Sequence, residues 1–513
     1  MIVILPSSGL RLRFSPLLHT HFSRVSKTCV KCKENTAVLI IRVGDAFCRS
    51  CFKEYFVHKF RAMLGKNRVI FPGEKVLLAV SGGPASSSML AQVQEGLSRE
   101  APKKLRFVPG IIYIDEGGVC GQTAEQREKT TTQLETIFKK TGFPYYMASL
   151  EQVFGLPGSV LEPVSGSAQR PGCSYKAAVD QYIQQREGKQ KHEEAAVEEA
   201  QDALTRLGVH SQHSPEHRVA LERLFSSLKT LTAKEDMLQT LRQHLILHTA
   251  RTNGYSKVMM GDSCTRLAIR LLTNISLGRG AALAADTGFL DARYGDVVVV
   301  RPMRDYSAKE ISFYNRLFGV QSVFIPGLDT KVPDKASIQR LTESFIIRLQ
   351  ADFPSTVSTI YRTSEKLHTA SPPQNTAEPA AKCLLCLCAL DTKAEEASAF
   401  RATLLSEQLS MRKAQGDPAS SNPAGSPGST CCQEQGCGAG GCCSTSRVPP
   451  QSTDLKSLLC YSCRLTIKDM AAVDSLPQYI VSEAEKRQRR AQMKEEISEF
   501  LLDEDEDVEQ QDC

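Results

Sequence analysis

Two closely spaced pairs of cysteines near the start of the chain restrict its possible folds more than any other feature of the sequence. Cys29 and Cys32 form a C-x-x-C pair, and Cys48 and Cys51 form another after fifteen intervening residues. This spacing is typical of a four-thiolate zinc site on a two-knuckle ribbon, whereas a reactive dithiol needs only one pair. We therefore predict a zinc ribbon over residues 28–55. Because four protein ligands would close the site, we expect its zinc to be structural.

A second set of paired cysteines lies near the other end of the chain. Cys383 pairs with Cys386, and Cys460 pairs with Cys463 across a long intervening segment. A metal site can close such a loop because the entropy cost grows only slowly with loop length. In a chain without a secretory signal, C-x-x-C pairs favour metal binding over disulfides. We predict a second structural zinc site here, with Cys388 as an alternative ligand.

The composition is that of a globular chain with a modest positive charge. Its 513 residues have room for two or three domains of about 100–200 residues each, and 41% of them are apolar. The sequence has no run of about 18 apolar residues, so we expect no membrane span. The net charge of +6 is compatible with nucleic-acid binding but does not require it.

The first 33 residues contain no acidic residue, and arginines and serines are interspersed among them. This pattern is similar to a mitochondrial transit peptide, but an irregular extension over residues 1–27 explains it equally well. We expect a cytoplasmic location, with the mitochondrion as the alternative.

Short apolar runs alternate with longer helical stretches between Glu74 and Pro302. The predicted strands are Lys75–Val80, Phe107–Ile114, Tyr145–Leu150, Lys257–Met260 and Asp296–Val300. The predicted helices are Ser86–Ser98, Thr123–Lys140, Ala233–Asn253 and Thr265–Leu277. Such alternation indicates an α/β fold of right-handed βαβ units, with a parallel sheet covered on both faces. We assign residues 56–305 to this α/β domain, which is interrupted by a polar insertion at residues 186–220.

The sequence changes character after this domain. Residues 306–370 are predicted to be a helical extension, in which Ser307 caps a helix and Glu310 completes its capping box. Residues 371–480 are predicted to be a cysteine module around a disordered loop at 390–455, which holds five further cysteines. A charged helix and an acidic tail are predicted for residues 481–513.

The first predicted strand runs directly into a glycine-rich turn, Ser81-Gly82-Gly83-Pro84-Ala85-Ser86-Ser87. Between a strand and a helix, such a turn can aim backbone N–H groups at an anion beside the helix N-terminus. It is not a Walker loop, because no Gly-Lys-Ser/Thr follows. The turn resembles the S-G-G-x-D-S loop of the ATP pyrophosphatases, or PP-loop proteins, with Ala85 at the position of their Asp.

Two further segments extend this resemblance. Gly261-Asp262-Ser263-Cys264-Thr265-Arg266 resembles the family's G-H-N-x-D-D motif, with Thr265 and Arg266 at the positions of the paired Asp. Val300-Arg301-Pro302-Met303 is similar to the R-P-L segment before the family's next helix. The resemblance implies the adenine nucleotide α hydrolase-like fold. It also implies a nucleotide-binding remnant formed by Ser81, Gly82, Gly83, Ser86, Ser87, Gly261 and Arg266.

With the cysteine pairs at both ends, these motifs make the chain similar to the tRNA 2-thiolation proteins over residues 28–367 and 383–480. Enzymes of this kind are understood to adenylate the uracil 2-oxygen with ATP and then to displace AMP with sulfur. Magnesium pyrophosphate would be poorly held here, because Mg²⁺ prefers hard oxygen ligands and Ala85, Thr265 and Arg266 do not supply the family's carboxylates. The catalytic branch also has a C-x-x-C-G motif, where this chain has Cys173 alone.

We therefore interpret the chain as a non-catalytic subunit. The resemblance implies a heterodimer with the catalytic thiolation protein, which 2-thiolates the wobble uridine (mcm5s2U) of Lys, Glu and Gln tRNAs. It also implies a thiocarboxylated ubiquitin-related modifier as the sulfur source, and hence a link to protein urmylation. Binding of ATP stays open, because Arg266 offers a direct contact to phosphate.

Two other interpretations also stay open. The chain could be an active ATP-dependent tRNA sulfurtransferase that uses Cys264 or Cys120 as its sulfur nucleophile. It could instead be a zinc-dependent RNA-binding scaffold unrelated to thiolation.

Basic residues after the first zinc unit are candidates for RNA contact. They are Lys59, Arg61, Lys66 and Arg68. Phe56, Phe60 and Phe71 are interleaved with them, which would combine phosphate attraction with base stacking. In the alternative interpretation, an amphipathic helix over Phe52–Leu64 packs its aromatic side chains on the core.

Overall fold

The computed structural model describes residues 27–41, 45–98, 104–162, 175–189, 215–330, 332–367, 381–390, 455–470 and 473–498. The predicted N-terminal extension up to residue 26, the loop at 391–454 and the acidic tail lie outside these described residues. So do Cys173 and most of the polar insertion. None of the helices within the described ranges has the length and apolar character that a membrane crossing requires.

A six-stranded sheet forms the centre of the molecule. Its strands are β3 Lys75–Ala79, β4 Val108–Asp115, β5 Tyr145–Ser149, β6 Lys257–Met260, β7 Leu290–Asp291 and β8 Val298–Val300, whereas β1 Leu39–Ile40 and β2 Ala46–Phe47 form a separate hairpin. The order across the sheet is β5-β4-β3-β6-β8-β7, and all neighbours are parallel except the β7–β8 pair. The predicted α/β fold and its five parallel strands are confirmed. The sequence does not predict β7.

Helices cover the sheet and extend beyond it. They are α1 Arg49–Asn67, α2 Pro84–Leu97, α3 Ala124–Lys139, α4 Tyr175–Lys189, α5 Pro215–Ser227, α6 Leu231–Thr252, α7 Cys264–Ser276, α8 Leu283–Thr287, α9 Ala308–Phe318, α10 Ile338–Asp352, α11 Pro354–Thr363, α12 Tyr461–Thr466 and α13 Gln478–Ser498. The four helices predicted within the α/β region correspond to α2, α3, α6 and α7, each with ends within two residues of the prediction.

Both faces of the sheet are buried. On β3 the side chains of Val76 and Leu78 belong to one hydrophobic cluster and Leu77 belongs to the other, and all three are inaccessible to solvent. This division follows from the two-residue period of a strand. Parallel strands covered on both faces are nearly continuous apolar runs, which explains why the apolar runs of the sequence predict them.

Helix α1 follows the N-terminal cysteines and packs its aromatic side against the core. Phe52, Phe56 and Phe60 are fully buried, and the rings of Phe56 and Tyr314 are stacked with 4.0 Å between their centroids. The four-residue spacing of the three phenylalanines holds them on one helix face. The core interpretation of these aromatic side chains is therefore correct. The prediction that Phe56 and Phe60 stack on RNA bases is wrong, because stacking on bases needs exposed rings.

The predicted helical extension contains three helices. The capping box that begins α9 is confirmed, since Ser307 Oγ accepts from the backbone N–H of Glu310 at 3.2 Å and Glu310 Oε2 accepts from that of Ser307 at 2.6 Å. Helix α9 ends at Gly319, which has a φ of +67°. The chain then runs without regular secondary structure through residues 320–330 before α10 and α11 follow.

A buried histidine on α6 joins the C-terminal cysteine module to the core. His244 Nδ1 lies 2.6 Å from the hydroxyl of Tyr479 on α13, and its Nε2 lies 2.9 Å from the carbonyl oxygen of Leu385. Burial lowers the pKa of His244 to about 4, so the ring is neutral at physiological pH. A neutral imidazole donates from one nitrogen and accepts at the other. Nε2 therefore donates to the carbonyl, and Nδ1 accepts from the tyrosine.

The close approach of the β6 end to α2 gives a stability prediction. A Cβ atom at Gly261 would lie 2.8 Å from Ser86 Cα and 2.9 Å from Ser86 N, and backbone atoms cannot move aside cheaply. We expect Gly261→Ala to lower the free energy of unfolding by about 1–3 kcal/mol. The matched control is Gly65→Ala in α1, where the space is open and alanine should stabilise the helix by about 0.5–1 kcal/mol. Urea unfolding of both variants measures the difference, and equal stabilities would contradict this packing.

Candidate nucleotide loop and metal centres

The glycine-rich turn lies at the carboxyl edge of the sheet, between β3 and α2. Gly82 has a φ of +76°, and Gly83 is the N-cap of α2 with extended backbone. Within the described chain, no hydrogen bond satisfies the backbone N–H groups of Gly83, Ala85 and Ser86. Pro84 has no N–H to offer. The turn thus retains free donors at a helix N-terminus, which is the arrangement that binds anions.

The serine hydroxyls of the turn stabilise its own backbone. Ser86 Oγ donates to the carbonyl of Gly83 at 3.1 Å, and Ser87 Oγ donates to that of Gly82 at 3.3 Å. The hydroxyls of Ser81 and Ser86 lie 3.2 Å apart. The structure thus brings the five predicted remnant residues of this turn together, with Gly261 packed against Ser86.

The segment at residues 320–330 lies against this turn. The backbone N–H of Val323 donates to the carbonyl of Gly82 at 2.9 Å. A Cβ atom at Gly82 would lie 3.2 Å from Ile325 and 3.0 Å from Leu134. Gln122, in the loop after β4, donates to the carbonyl of Pro326 at 2.9 Å. A side chain at Gly82 would therefore be strained, because its backbone has a φ of +76° and two side chains lie close to it. Sequence reasoning missed this constraint because the contacting residues are remote in the chain.

The two residues that replace the family's paired Asp have other roles. Thr265 Oγ1 accepts from the backbone N–H of Ala308 at 3.2 Å, so its side chain joins α7 to the start of α9. Arg266 Nη1 lies 3.8 Å from Glu343 on α10, and nearly half of its side chain is exposed. Arg266 is the third residue of α7, and its guanidinium group is directed toward α10. Neither residue supplies an oxygen anion for a metal ion.

Arginines neutralise the carboxylates that follow β4 and β6. Arg270 lies 2.9 Å from Asp262 and Arg301 lies 3.4 Å from it. Burial alone would raise the pKa of Asp262, but these two guanidinium groups outweigh it and hold the pKa below its ordinary value. At the end of β4, Arg127 lies 2.7 Å from Asp115.

Glu116, the next residue after β4, is also neutralised. Arg242 of α6 makes a two-pronged ion pair with its carboxylate, and one of the two N–H groups donates at 2.9 Å. Bidentate pairs of this kind are strong and geometrically specific. A magnesium ion at this edge would have to compete with arginine for each carboxylate at these strand ends.

The two thiols considered as sulfur nucleophiles are both held in the protonated form. Burial raises the pKa of Cys264 to about 11 and that of Cys120 to about 12. Cys264 packs in a hydrophobic cluster with Ile346 and Tyr361, away from solvent. Because the thiolate is the nucleophile, neither side chain is prepared for sulfur transfer at neutral pH.

The four N-terminal cysteines converge as predicted. The Sγ atoms of Cys29, Cys32, Cys48 and Cys51 all lie within 4.8 Å of one another, and those of Cys32 and Cys48 are 4.0 Å apart. Tetrahedral zinc with Zn–S bonds of about 2.3 Å places its sulfur ligands about 3.8 Å apart. The group therefore fits a single tetrahedral ion.

The four C-terminal cysteines form an equivalent group. Cys383, Cys386, Cys460 and Cys463 also lie within 4.8 Å of one another by their Sγ atoms, and the Sγ atoms of Cys386 and Cys460 are 3.6 Å apart. Cys388 is not part of the group, since its Sγ accepts from Arg293 Nη1 at 2.8 Å. The alternative ligand proposed from the sequence is therefore wrong, and the four paired cysteines can hold a metal ion by themselves.

The two cysteine groups share one local construction. In each, the residue after the second cysteine of the first pair has a left-handed backbone, with φ of +59° at Lys33 and +57° at Leu387. In each, the first cysteine of the second pair is the N-cap of a helix, Cys48 for α1 and Cys460 for α12. The positive end of each helix thus faces the thiolates and stabilises their charge. Sequence reasoning missed this repeat, although the paired C-x-x-C motifs were its signal.

The four basic residues proposed for RNA contact are not equivalent. Lys59 Nζ lies 2.8 Å from Glu310, whose side chain is almost completely buried. Lys59 therefore forms an internal ion pair, and its assignment to RNA is corrected. Arg61 is half-buried, whereas Lys66 and Arg68 are exposed beyond the end of the aromatic face. These three residues stay predictions.

Comparison with known proteins gives concordant matches. The family model described as cytoplasmic tRNA 2-thiolation protein 2 matches residues 337–465. The protein of that name from Danio rerio is 67% identical over 489 residues, which cover 94% of this chain and 96% of the relative. The human protein of that name is 52% identical over 491 residues, which cover 93% of this chain and 94% of the human protein.

Among solved structures, the U34-tRNA thiolase NcsA from Methanococcus maripaludis with its [4Fe-4S] cluster is similar at a TM-score of 0.43 and 14% identity. The match covers 72% of this chain and 93% of that one.

The cysteine geometry predicts a metal stoichiometry. We expect the purified full chain to hold two zinc ions, one in each four-cysteine group. Cys32→Ser and Cys386→Ser should each remove one ion, because three thiolates leave the tetrahedral site open. Cys388→Ser is the matched control and should retain both. Elemental analysis by mass spectrometry after dialysis measures the content, and loss of metal in the Cys388 variant would contradict the assignment.

Proposed function

The chain belongs to the cytoplasmic tRNA 2-thiolation protein 2 family, and we propose that it serves the family's reaction as a non-catalytic subunit. In this proposal it forms a heterodimer with the catalytic thiolation protein. The pair 2-thiolates the wobble uridine of Lys, Glu and Gln tRNAs, with sulfur from a thiocarboxylated ubiquitin-related modifier. The expected cytoplasmic location is confirmed by the name that the curated relatives carry.

The observation that supports this role most directly is the pairing of carboxylates with arginines at the carboxyl edge of the sheet. Free N–H groups at the start of α2 persist, but Asp115, Glu116 and Asp262 are each neutralised by arginine. Adenylation with ATP needs carboxylates that can bind Mg²⁺, and sulfur delivery needs a thiolate. At the ends of β4 and β6 each carboxylate is held by arginine, and the thiols of Cys120 and Cys264 are protonated. The site has the backbone of a phosphate cradle without the groups that perform the chemistry.

In this proposal both cysteine groups hold zinc, and both zinc ions are structural. Each ion would have four protein ligands and no open position for water or substrate. The N-terminal ion would fix the hairpin of β1 and β2 against the start of α1. The C-terminal ion would join residues 383–386 to α12, which are far apart in the sequence. The ions therefore contribute folding energy rather than catalysis.

The carboxyl edge provides a test of the non-catalytic role in cells that lack the protein. Gly83→Asp should fold, because aspartate is a favourable N-cap, and its carboxylate would occupy the free N–H groups and repel phosphate. We expect this variant to restore thiolated wobble uridine to the level of the wild type, as measured by mass spectrometry of tRNA nucleosides. Gly83→Asn is the matched neutral control. Gly82 is unsuitable because Leu134 and Ile325 fill the space around it.

The possible outcomes separate the three interpretations. Restoration by both Gly83 variants supports a subunit whose loop is a remnant. Failure of Gly83→Asp alone, with normal protein levels, means that the loop binds an anion that the reaction requires. Undiminished thiolation in cells without the protein would contradict any role in thiolation and favour the RNA-binding scaffold.

The thiols give a second test of the same proposal. Cys120→Ser and Cys264→Ala should each restore thiolation in these cells, because both thiols are protonated at neutral pH. An active sulfurtransferase that uses either cysteine would lose its activity with that substitution. Loss of thiolation in a folded Cys120→Ser protein, measured by the same nucleoside analysis, would therefore overturn the non-catalytic assignment.

A further inference from the structure

Five exposed cations lie at the amino edge of the sheet, opposite the glycine-rich turn. They are Lys66, Arg68, Lys104, Arg106 and Lys176, which together we call the amino-edge surface. Within the part of the chain that the structure describes, the side chain of each has no hydrogen bond or ion pair. Unpaired cations contribute their full charge to the surface field, whereas paired ones largely cancel.

Backbone and ring contacts hold these residues in one neighbourhood although they come from three separate segments. The N–H of Gly73 donates to the carbonyl of Arg106 at 2.6 Å, which joins the start of β3 to the start of β4. The Phe71 ring contacts the ring of Tyr175 at the start of α4, with 5.6 Å between centroids. Lys66 and Arg68 precede Phe71 at the end of α1, and Lys176 follows Tyr175.

Glu74, the acidic residue directly before β3, is already engaged. Glu74 Oε1 accepts from Ser256 Oγ at 2.5 Å and lies 3.2 Å from Lys257 Nζ. Its other oxygen accepts from the backbone N–H of Phe71 at 2.9 Å. Glu74 is thus directed inward and does not offset the five exposed cations. The five cations also outnumber Asp180, the exposed carboxylate four residues after Lys176 on α4, so the amino-edge surface carries a net positive charge.

Partly exposed aromatic rings accompany these cations. Phe71, Tyr175 and Tyr182 are each partly exposed, and the ring of Tyr182 lies against Gly73. Cations that attract phosphate, beside rings on which unpaired bases can stack, are the two components of a single-strand RNA surface. An acidic protein partner would account for the cations but not for the rings.

Building on the proposed role in tRNA thiolation, we propose that the amino-edge surface holds the phosphate backbone of tRNA. The position of the surface in the fold explains how this contact would serve thiolation. The five residues of β3 separate it by about 16 Å from the turn at the carboxyl edge. A phosphate held here lies at the opposite edge of the sheet from the chain's own turn. The surface instead leaves the wobble uridine available to the active site of another subunit.

Charge reversal tests the proposal on the purified full chain with an in-vitro transcript of a wobble-uridine tRNA. We expect Lys104→Glu/Arg106→Glu to weaken binding roughly tenfold at low salt. We also expect the magnitude of the slope of log K against log salt to fall by about 0.7–0.9 for each phosphate that the variant no longer neutralises. The matched control is Lys129→Glu/Lys140→Glu at α3, which makes the same change in net charge at exposed positions elsewhere.

The outcomes distinguish this inference from the function on which it rests. A loss of affinity confined to the Lys104/Arg106 variant supports the amino-edge surface. Equal effects of the two variants would show that only net charge matters, and an unchanged affinity would show that tRNA binds elsewhere; either result overturns the inference. Both leave the thiolation role intact if the wild-type chain still restores thiolated uridine in cells that lack the protein.

Discussion

The burial of β3 between two hydrophobic clusters is the constraint on which the rest of the structure depends. Val76 and Leu78 pack in one layer and Leu77 in the other, so a shift of the strand by one residue would move all three side chains into the opposite layer and disrupt the packing of both. This fixes the glycine-rich turn at one end of the strand and Lys75 at the other. Both candidate surfaces, the turn and the cations near the start of the strand, therefore have their positions set by the same buried strand.

The two edges of the sheet differ in how their charges are used. At the carboxyl edge each acidic residue that closes β4 or β6 is matched by an arginine, so the local field is largely cancelled. At the amino edge the five cations of the amino-edge surface have no acidic partner among the described residues, and the nearby Glu74 pairs with Lys257 instead. In this way the fold retains the backbone of a phosphate-binding turn. Its charged groups form stabilising ion pairs at the carboxyl edge and an unpaired positive surface at the amino edge.

Sequence reasoning succeeded where the determinants are local. The period of a strand or helix, the Ser307 capping box and each C-x-x-C pair are determined by residues only a few positions apart. Their patterns in the sequence therefore specify their geometry. It failed where tertiary contacts decide. The sequence predicts that Lys59 is an exposed cation, whereas the structure pairs it with Glu310 of α9. The contact of Val323 with the turn and the exclusion of Cys388 also depend on partners distant in sequence, which no local pattern reveals.

The separation of the C-terminal cysteine pairs has a consequence for biosynthesis. Cys386 and Cys460 are 74 positions apart, so the first pair leaves the ribosome well before the second. At about 5–20 residues per second, the interval is roughly 4–15 s. During that time two thiols of a nascent chain are open to oxidants and to other metals, while the N-terminal group is already complete. The C-terminal group of four cysteines can therefore form only after the whole intervening segment has been translated.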